Sequence, residues 1–305
     1  MRIERDVPYR LQNMLLECDT PQGGWSFFPK EAQSFLEPTC LSLLAFRYRP
    51  EPRVTRGLEF LLHTQNPNGS WPAFAGDDQE GCWVTALAVL TLNQLHADSN
   101  AIERGIGWLL DSRGKESHWL WRWKFRTSDT HVRFDPDKFG WPWMPETNSW
   151  VVPTSFAVLA LSQCFPSQRS SRVQFRIARG VAMLFDRACP DGGWNAGNGV
   201  VYGVPLAPHL DATAIALLAL QGQSQSSIVT KSLTWLEDRS HSCSAASSLA
   251  WSILALHSHR QNVANHVQRL ADLAKTTHIC DHATLATVAM ALECADGKNL
   301  FEVQP

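Results

Sequence analysis

The sequence contains no apolar run long enough to span a bilayer, no Cys-x-x-Cys pair, no excess of either charge and only three tyrosines among 305 residues. The first absence excludes a transmembrane helix. Eight scattered cysteines without paired spacing argue against a disulfide framework or a zinc ribbon. The opening MRIERDVPYR also lacks a signal-like apolar stretch, so free thiols in a reducing cytoplasm are expected. A formal net charge of -2 removes the electrostatic reason to expect nucleic acid as a partner. What remains is an apolar fraction of 44%, enough for a large core, and thirteen tryptophans.

One phrase recurs along the chain. PLAPHLDATAIALLAL, from Pro205 to Leu220, has a short polar entry followed by Ala, Ile and Leu with no Gly or Pro. A helix apolar on every face must be buried. Copies occur at EPTCLSLLAF from Glu37, WVTALAVLTL from Trp83 and VPTSFAVLAL from Val152, and more weakly at SSLAWSILAL from Ser247 and ATLATVAMAL from Ala283. Mixed-polarity helical stretches precede them: YRLQNMLLEC, RGLEFLLHTQ from Arg56, RGIGWLLDSR from Arg104, RGVAMLFDRA from Arg179, KSLTWLEDRS from Lys231 and QRLADLAKTT from Gln268. The two compositions suit an outer helix with one wet face and an inner helix covered on both sides. The pattern therefore predicts an all-α chain, residues 1–305 as a single α/α toroid of about six helical hairpins. Six hairpins can close into a ring that leaves no terminal repeat with an uncovered apolar face; an open solenoid is the alternative.

Several hairpin turns carry Gly followed by Trp, as in QGGW, NGSW and DGGW. Gly supplies positive φ in a tight turn, and the Trp ring can pack on the end of the preceding helix. The spacing departs from the repeat at 111–150, a Trp-rich insertion with Trp119, Trp121, Trp123, Trp141, Trp143 and Trp150, and with Arg122, Lys124, Arg126, His131 and Arg133 between them. Its aromatic density argues for order. A lid over the ring mouth, or packing on the outside, are both consistent with it. His257, His259 and His266 are expected to face water, and the tail DGKNLFEVQP to fray.

If the inner helices run parallel, their N-termini gather at one mouth, where unpaired N–H groups and positive dipole ends collect. Aligned on the apolar runs, Glu37 and Asp211 fall at one phase, in the first and fourth repeats, on opposite walls of a six-fold ring. A carboxyl at the rim of an apolar hollow can be pushed towards its protonated form by desolvation and act as an acid. Asp211 could equally be a helix N-cap.

Gln65 to Trp71, QNPNGSW, resembles the QxxxGxW motif of squalene-hopene and oxidosqualene cyclases, and the hairpin series is similar to the prenyltransferase and squalene-cyclase repeat superfamily. The resemblance implies a toroid with a central apolar cavity for an isoprenoid chain. HLDATA resembles the cyclase stretch DxDDTA, with Asp211 at the position of the proton donor, His209 in place of the first Asp and Ala212 of the last. The single-acid form DCTA is closer. On this reading Asp211, Glu37 and His209 form the catalytic group and Trp83, Trp141, Trp143, Trp150 and Trp194 shape the cavity, with no cofactor required. Glu80-Gly81-Cys82-Trp83 is similar to the Asp-Gly-Cys-Tyr segment that holds zinc in protein prenyltransferase β subunits. That second resemblance implies a zinc site, with Cys82, Cys280 and His282 as candidate ligands, and a partner subunit. A non-catalytic toroid binding a lipid or peptide is the third possibility, and peripheral membrane contact is compatible with each. Asp77-Asp78 is a lone pair rather than the DDxxD of metal-dependent terpene synthases, and reads as a solvated turn.

Overall fold

Each all-apolar phrase forms a helix, and each is preceded by a helix of mixed polarity. The computed structural model describes residues 6–128, 134–164 and 168–303. In chain order the pairs are α1 (Asp6–Leu16) with α2 (Leu36–Ala45), and α3 (Pro52–His63) with α4 (Val84–Leu95). Next come α5 (Ser99–Asp111), an insertion helix α6 (Trp119–Thr127), and α7 (Val151–Ser162). The last three pairs are α8 (Ser171–Arg187) with α9 (Leu210–Ala219), α10 (Ser227–Ser240) with α11 (Ala246–Ser258), and α12 (Ala264–Thr276) with α13 (His282–Glu293). A two-residue hairpin, Val200–Val201 against Val204–Pro205, is the one named sheet among the described residues.

The six apolar helices touch in the order α2, α4, α7, α9, α11, α13 and back to α2. The ring is closed, and the open solenoid is excluded. Outer helices pack mainly on the inner helix that precedes them: α3 on α2, α5 on α4, α8 on α7, with α10 and α12 bridging two inner helices each. Helix α1 packs instead on α13. Its Arg10 donates to the Ala274 carbonyl at 2.8 Å and its Gln12 to the Ala45 carbonyl at 2.7 Å, so first and last repeats are joined.

Four turn tryptophans make one repeated joint. The indole N–H groups of Trp25, Trp71, Trp141 and Trp194 donate to the carbonyls of Leu15, Leu61, Leu109 and Leu184, near the ends of the preceding outer helices. Their backbone N–H groups donate to the hydroxyls of Thr39, Thr85, Thr154 and Thr213, in the first turns of the following inner helices. The threonine of the recurring phrase is therefore half of the joint. Each of these indoles is almost wholly buried; removing about 200 Å² of such surface from water stabilises by up to about 5 kcal/mol. Gln65 completes the QNPNGSW joint by donating to the carbonyls of Gly69 and of Ala101 on α5, both at 2.9 Å.

The following outer helix must leave room for the ring. A Cβ at Gly105 would stand 2.9 Å from Trp71 Cζ3 and 2.5 Å from Val89 Cγ2, and Gly57 and Gly180 meet Trp25 and Trp141 in the same way. Gly105→Ala is therefore expected to destabilise by about 1–3 kcal/mol through overpacking, read as a lower urea midpoint at unchanged slope.

The tail does not fray. Leu300 and Phe301 are buried, and their carbonyls accept from Gln94, Gln163 and Gln221, all just at the C-terminal ends of inner helices. Asn299 donates to the Leu254 carbonyl and the Ser258 hydroxyl. Residues 299–303 thus stopper the ring at the end opposite the helix N-termini. The histidines also differ from expectation. His266 is buried against Ser240 and His241, and His259 donates from Nε2 to the Leu217 carbonyl at 2.8 Å rather than facing open water.

Candidate active site at the ring mouth

At the opposite end, the N-termini of α2, α4, α7 and α13 bring together the groups able to do chemistry. Phe35 enters α2 through a backbone ladder: its N–H donates to the Trp25 carbonyl at 2.9 Å, and Leu36 N–H donates to Ala73. These bonds turn the chain so that Glu37 stands in the first helical turn, with Phe35 packed between Phe27 and Phe74 at 5.2 and 5.6 Å. Glu37 is half-buried and makes no hydrogen bond among the described residues. Burial first, and then the negative charge of Asp281 at the start of α13, push its carboxyl up to about 7. Near neutral pH this group therefore holds a proton about half of the time.

Asp281 itself is the N-cap. It accepts from the backbone N–H groups of Ala283 and Thr284 and from the Thr284 hydroxyl. These bonds hold its side chain in place at the start of α13, beside Glu37. His282, fully buried, bonds the Ser26 carbonyl through Nδ1 at 2.9 Å, and its Nε2 has no partner among the described residues. Desolvation pulls its pKa below the ordinary histidine value, so it is neutral here.

Aromatic side chains continue inward from the mouth. Trp83, held by its N–H to the Trp143 carbonyl at 2.9 Å, meets Trp143 edge-on at 5.2 Å and Phe156 of α7 at 5.5 Å. Phe156 meets Trp251 of α11 at 5.8 Å, and Trp251 meets Phe301 at 5.5 Å. Helices α7 and α11 are separated in the ring by α9, so the Phe156–Trp251 contact crosses the ring interior. These ring contacts form a chain that runs from the mouth across the interior to Phe301.

This geometry corrects several expectations. Asp211 stands in the first turn of α9, exposed to solvent, and lines an open cleft of about 1150 Å³ with His209, Trp235, Arg239 and Ser248. It lacks the desolvation that the acid role required. It is not a side-chain cap either, because the N-cap of α9 is His209, whose side chain makes no capping bond. Glu37 and Asp211 do lie on opposite sides of the ring, on α2 and α9. Of the five tryptophans, Trp83 and Trp143 meet at the mouth. Trp141 and Trp194 are joints between helix layers, and the exposed Trp150 packs against Gly197. Cys82, Cys280 and His282 do not converge: no three His, Cys, Asp or Glu among the described residues come together to hold a metal ion. Cys280 is exposed, whereas the buried Cys82 thiol is pushed up to about 11, chiefly by desolvation, and is no ready thiolate. Helix α6 buries none of its residues, and Trp119 and Trp123 are 69% and 60% exposed. The sequence reading did not single out Phe156, Trp251 or Phe301. Phe156 and Trp251 are visible as aromatics in the middle of otherwise aliphatic phrases, VPTSFAVLAL and SSLAWSILAL.

With this geometry in place, likeness to known proteins discriminates between the readings. No protein-family model matches the sequence. The chain is 23% identical over 227 residues to drimenyl diphosphate synthase of Streptantibioticus cattleyicolor, covering 62% of this chain and 42% of that protein. It is 28% identical over 153 residues to lanosterol synthase of Saccharomyces cerevisiae, covering 49% and 19%. The chain is an α/α toroid that resembles these terpenoid cyclases in sequence. It spans less than half of the first relative and about a fifth of the second. Among solved structures, the type II terpene cyclase from Scytonema superposes with a TM-score of 0.58 at 15% identity, over 96% of this chain and 98% of that one. An α-amylase from Clostridium perfringens superposes at 0.63 with 8% identity, over 96% and 99%. The toroid alone is thus common to unrelated chemistries, and the sequence relatives are what separate a terpenoid cyclase-like chain from the glycosidases that share its shape. No helix among the described residues is long and apolar enough to cross a membrane.

Proposed function

We infer that this chain acts as a class II type cyclase, with Glu37 as the proton donor to a terminal alkene of a polyprenyl substrate. The observation that carries the reading is a carboxyl held near pKa 7, without a hydrogen-bond partner among the described residues, beside an aromatic mouth. Glu37 transfers its proton to one alkene carbon and leaves a carbocation on the other. The next alkene attacks that cation to close a ring, the last cation gives up a proton to solvent, and the Glu37 carboxylate takes a proton from solvent to restore the donor. Atoms and charge balance, so substrate and product are isomers. Phe35, Trp83 and Trp143 supply π faces that stabilise positive charge. The likeness to two terpenoid cyclases supports the substrate class. An exposed Asp211 is left without a part in proton transfer.

The test is incubation with a panel of prenyl diphosphates and squalene in H2O and in D2O, followed by mass spectrometry. An isomeric product from one panel member, heavier by a single deuterium in D2O, is expected. No product from any member, or a product without solvent deuterium, contradicts the reading.

A further inference from the structure

A second site lies on the outer wall, remote from the ring mouth. Helix α8 carries Arg172, Arg176 and Arg179 at i, i+4 and i+7, which places them along one stripe. The stripe faces the end of α5 and the insertion, and with Arg113 and Arg122 it lines a cleft of about 690 Å³. Five guanidinium groups meet there with a single lining carboxylate, Asp137, and that carboxylate is already engaged by Arg122 and, from outside the lining, by Arg126.

Arg176 is the most deeply buried of the lining residues, at 2% exposure. Its guanidinium lies over the Trp141 ring at 3.9 Å, and its Nη2 donates to the Ser112 carbonyl at 2.8 Å. Its Nε and Nη1 find no acceptor among the described residues. A buried guanidinium without a carboxylate is costly, and stacking on a ring face does not satisfy N–H groups at the guanidinium edge. Burial, and then the charges of Arg113, Arg179 and Arg172, lower its pKa to about 10, which still leaves it charged at neutral pH. Arg113 has no side-chain partner recorded among the described residues. The planar, forked donors of arginine match the oxygens of phosphate groups better than any other side chain.

We propose that this cleft binds a phosphate-bearing anion, with Arg176 as its floor and Arg113 and Arg179 as its walls. The site is independent of the reading of Glu37. The same chemistry can come from a soluble diphosphate or from the headgroup of a phosphatidic lipid, and exposed Phe175 at the cleft rim suits either.

Two probes separate the sources. Pyrophosphate is titrated into the whole chain by calorimetry, and sedimentation is measured with phosphatidylcholine vesicles with and without phosphatidic acid. Saturable 1:1 binding of pyrophosphate, weakened roughly ten- to a hundredfold by both Arg113→Gln and Arg176→Met, supports a soluble ligand. Sedimentation that needs phosphatidic acid and is lost in both variants supports the headgroup. Melting in phosphate-free buffer guards against misfolding: Arg176→Met, which removes an uncompensated buried charge, is expected to melt no lower than the wild type. Arg113→Gln alters an exposed wall and tests the site without touching the core. Failure of both probes with the wild type, or binding unaltered by the two substitutions, overturns the proposal.

Discussion

Glu37→Gln is expected to lower turnover by roughly 10²–10⁴-fold, the usual worth of a positioned general acid, while leaving the fold intact. Gln has the same shape, and Glu37 makes no hydrogen bond among the described residues that the change would break. The variant should in fact be the more stable protein at neutral pH. In the unfolded chain the carboxyl loses its proton near 4.5, whereas in the ring it holds it to about 7. Between those values the folded state binds a proton that the unfolded state lacks, so wild-type stability falls as pH rises from 4.5 to 7 and the deficit persists above it. The displacement corresponds to about 3 kcal/mol as an upper figure, absent below pH 4.5 where both states are protonated. Turnover by the wild type should fall as pH rises through 7, because the donor must be protonated. Kinetics and melting curves on the same two proteins separate the catalytic loss from any structural one. A variant that turns over normally would remove Glu37 from the mechanism.

Phe301→Ala should destabilise by about 3–5 kcal/mol, read from urea unfolding. Phe301 is fully buried against Trp251, and the backbone on either side of it is tied to three glutamines at the inner-helix ends. The joints and closed ring remain, so the loss should appear as a shifted midpoint with the same helical signal. An unshifted midpoint would show that residues 299–303 contribute nothing to the ring and that its lower end is open.

The all-α toroid was legible because its signal is repeated: six apolar phrases and the turns QGGW, NGSW and DGGW each restate one local environment, while the joint at Trp141 lies inside the insertion. Closure was legible only through the count of six hairpins, since the contacts that make it, α13 on α2 and α1 on α13, join the two ends of the chain. The site was legible in part. Glu37 and Asp211 share a phase in the repeat and do lie across the ring, but their burial differs, and burial is set by neighbours that no local pattern encodes. Phe35, Phe74 and Asp281 close around Glu37, while the residues 205–209 that lead into α9 leave Asp211 open. Motif likeness at HLDATA singles out Asp211, whose exposure no motif encodes. The tail was misread for a related reason: an isolated Leu300-Phe301 pair in a polar run has no periodicity, and only the three glutamine amides waiting at the helix ends explain its burial. The arginine stripe, by contrast, was readable from the i, i+4, i+7 spacing of RVQFRIAR, and was overlooked because attention rested on the basic residues of the insertion.

The account depends on one carboxyl keeping its proton at neutral pH. Difference infrared spectroscopy of wild type minus Glu37→Gln, followed through pH, reads the protonated carboxyl band of Glu37 alone. The band is expected to titrate with a midpoint near 7; a midpoint near 4.5, the ordinary value for a solvated glutamate, would contradict it.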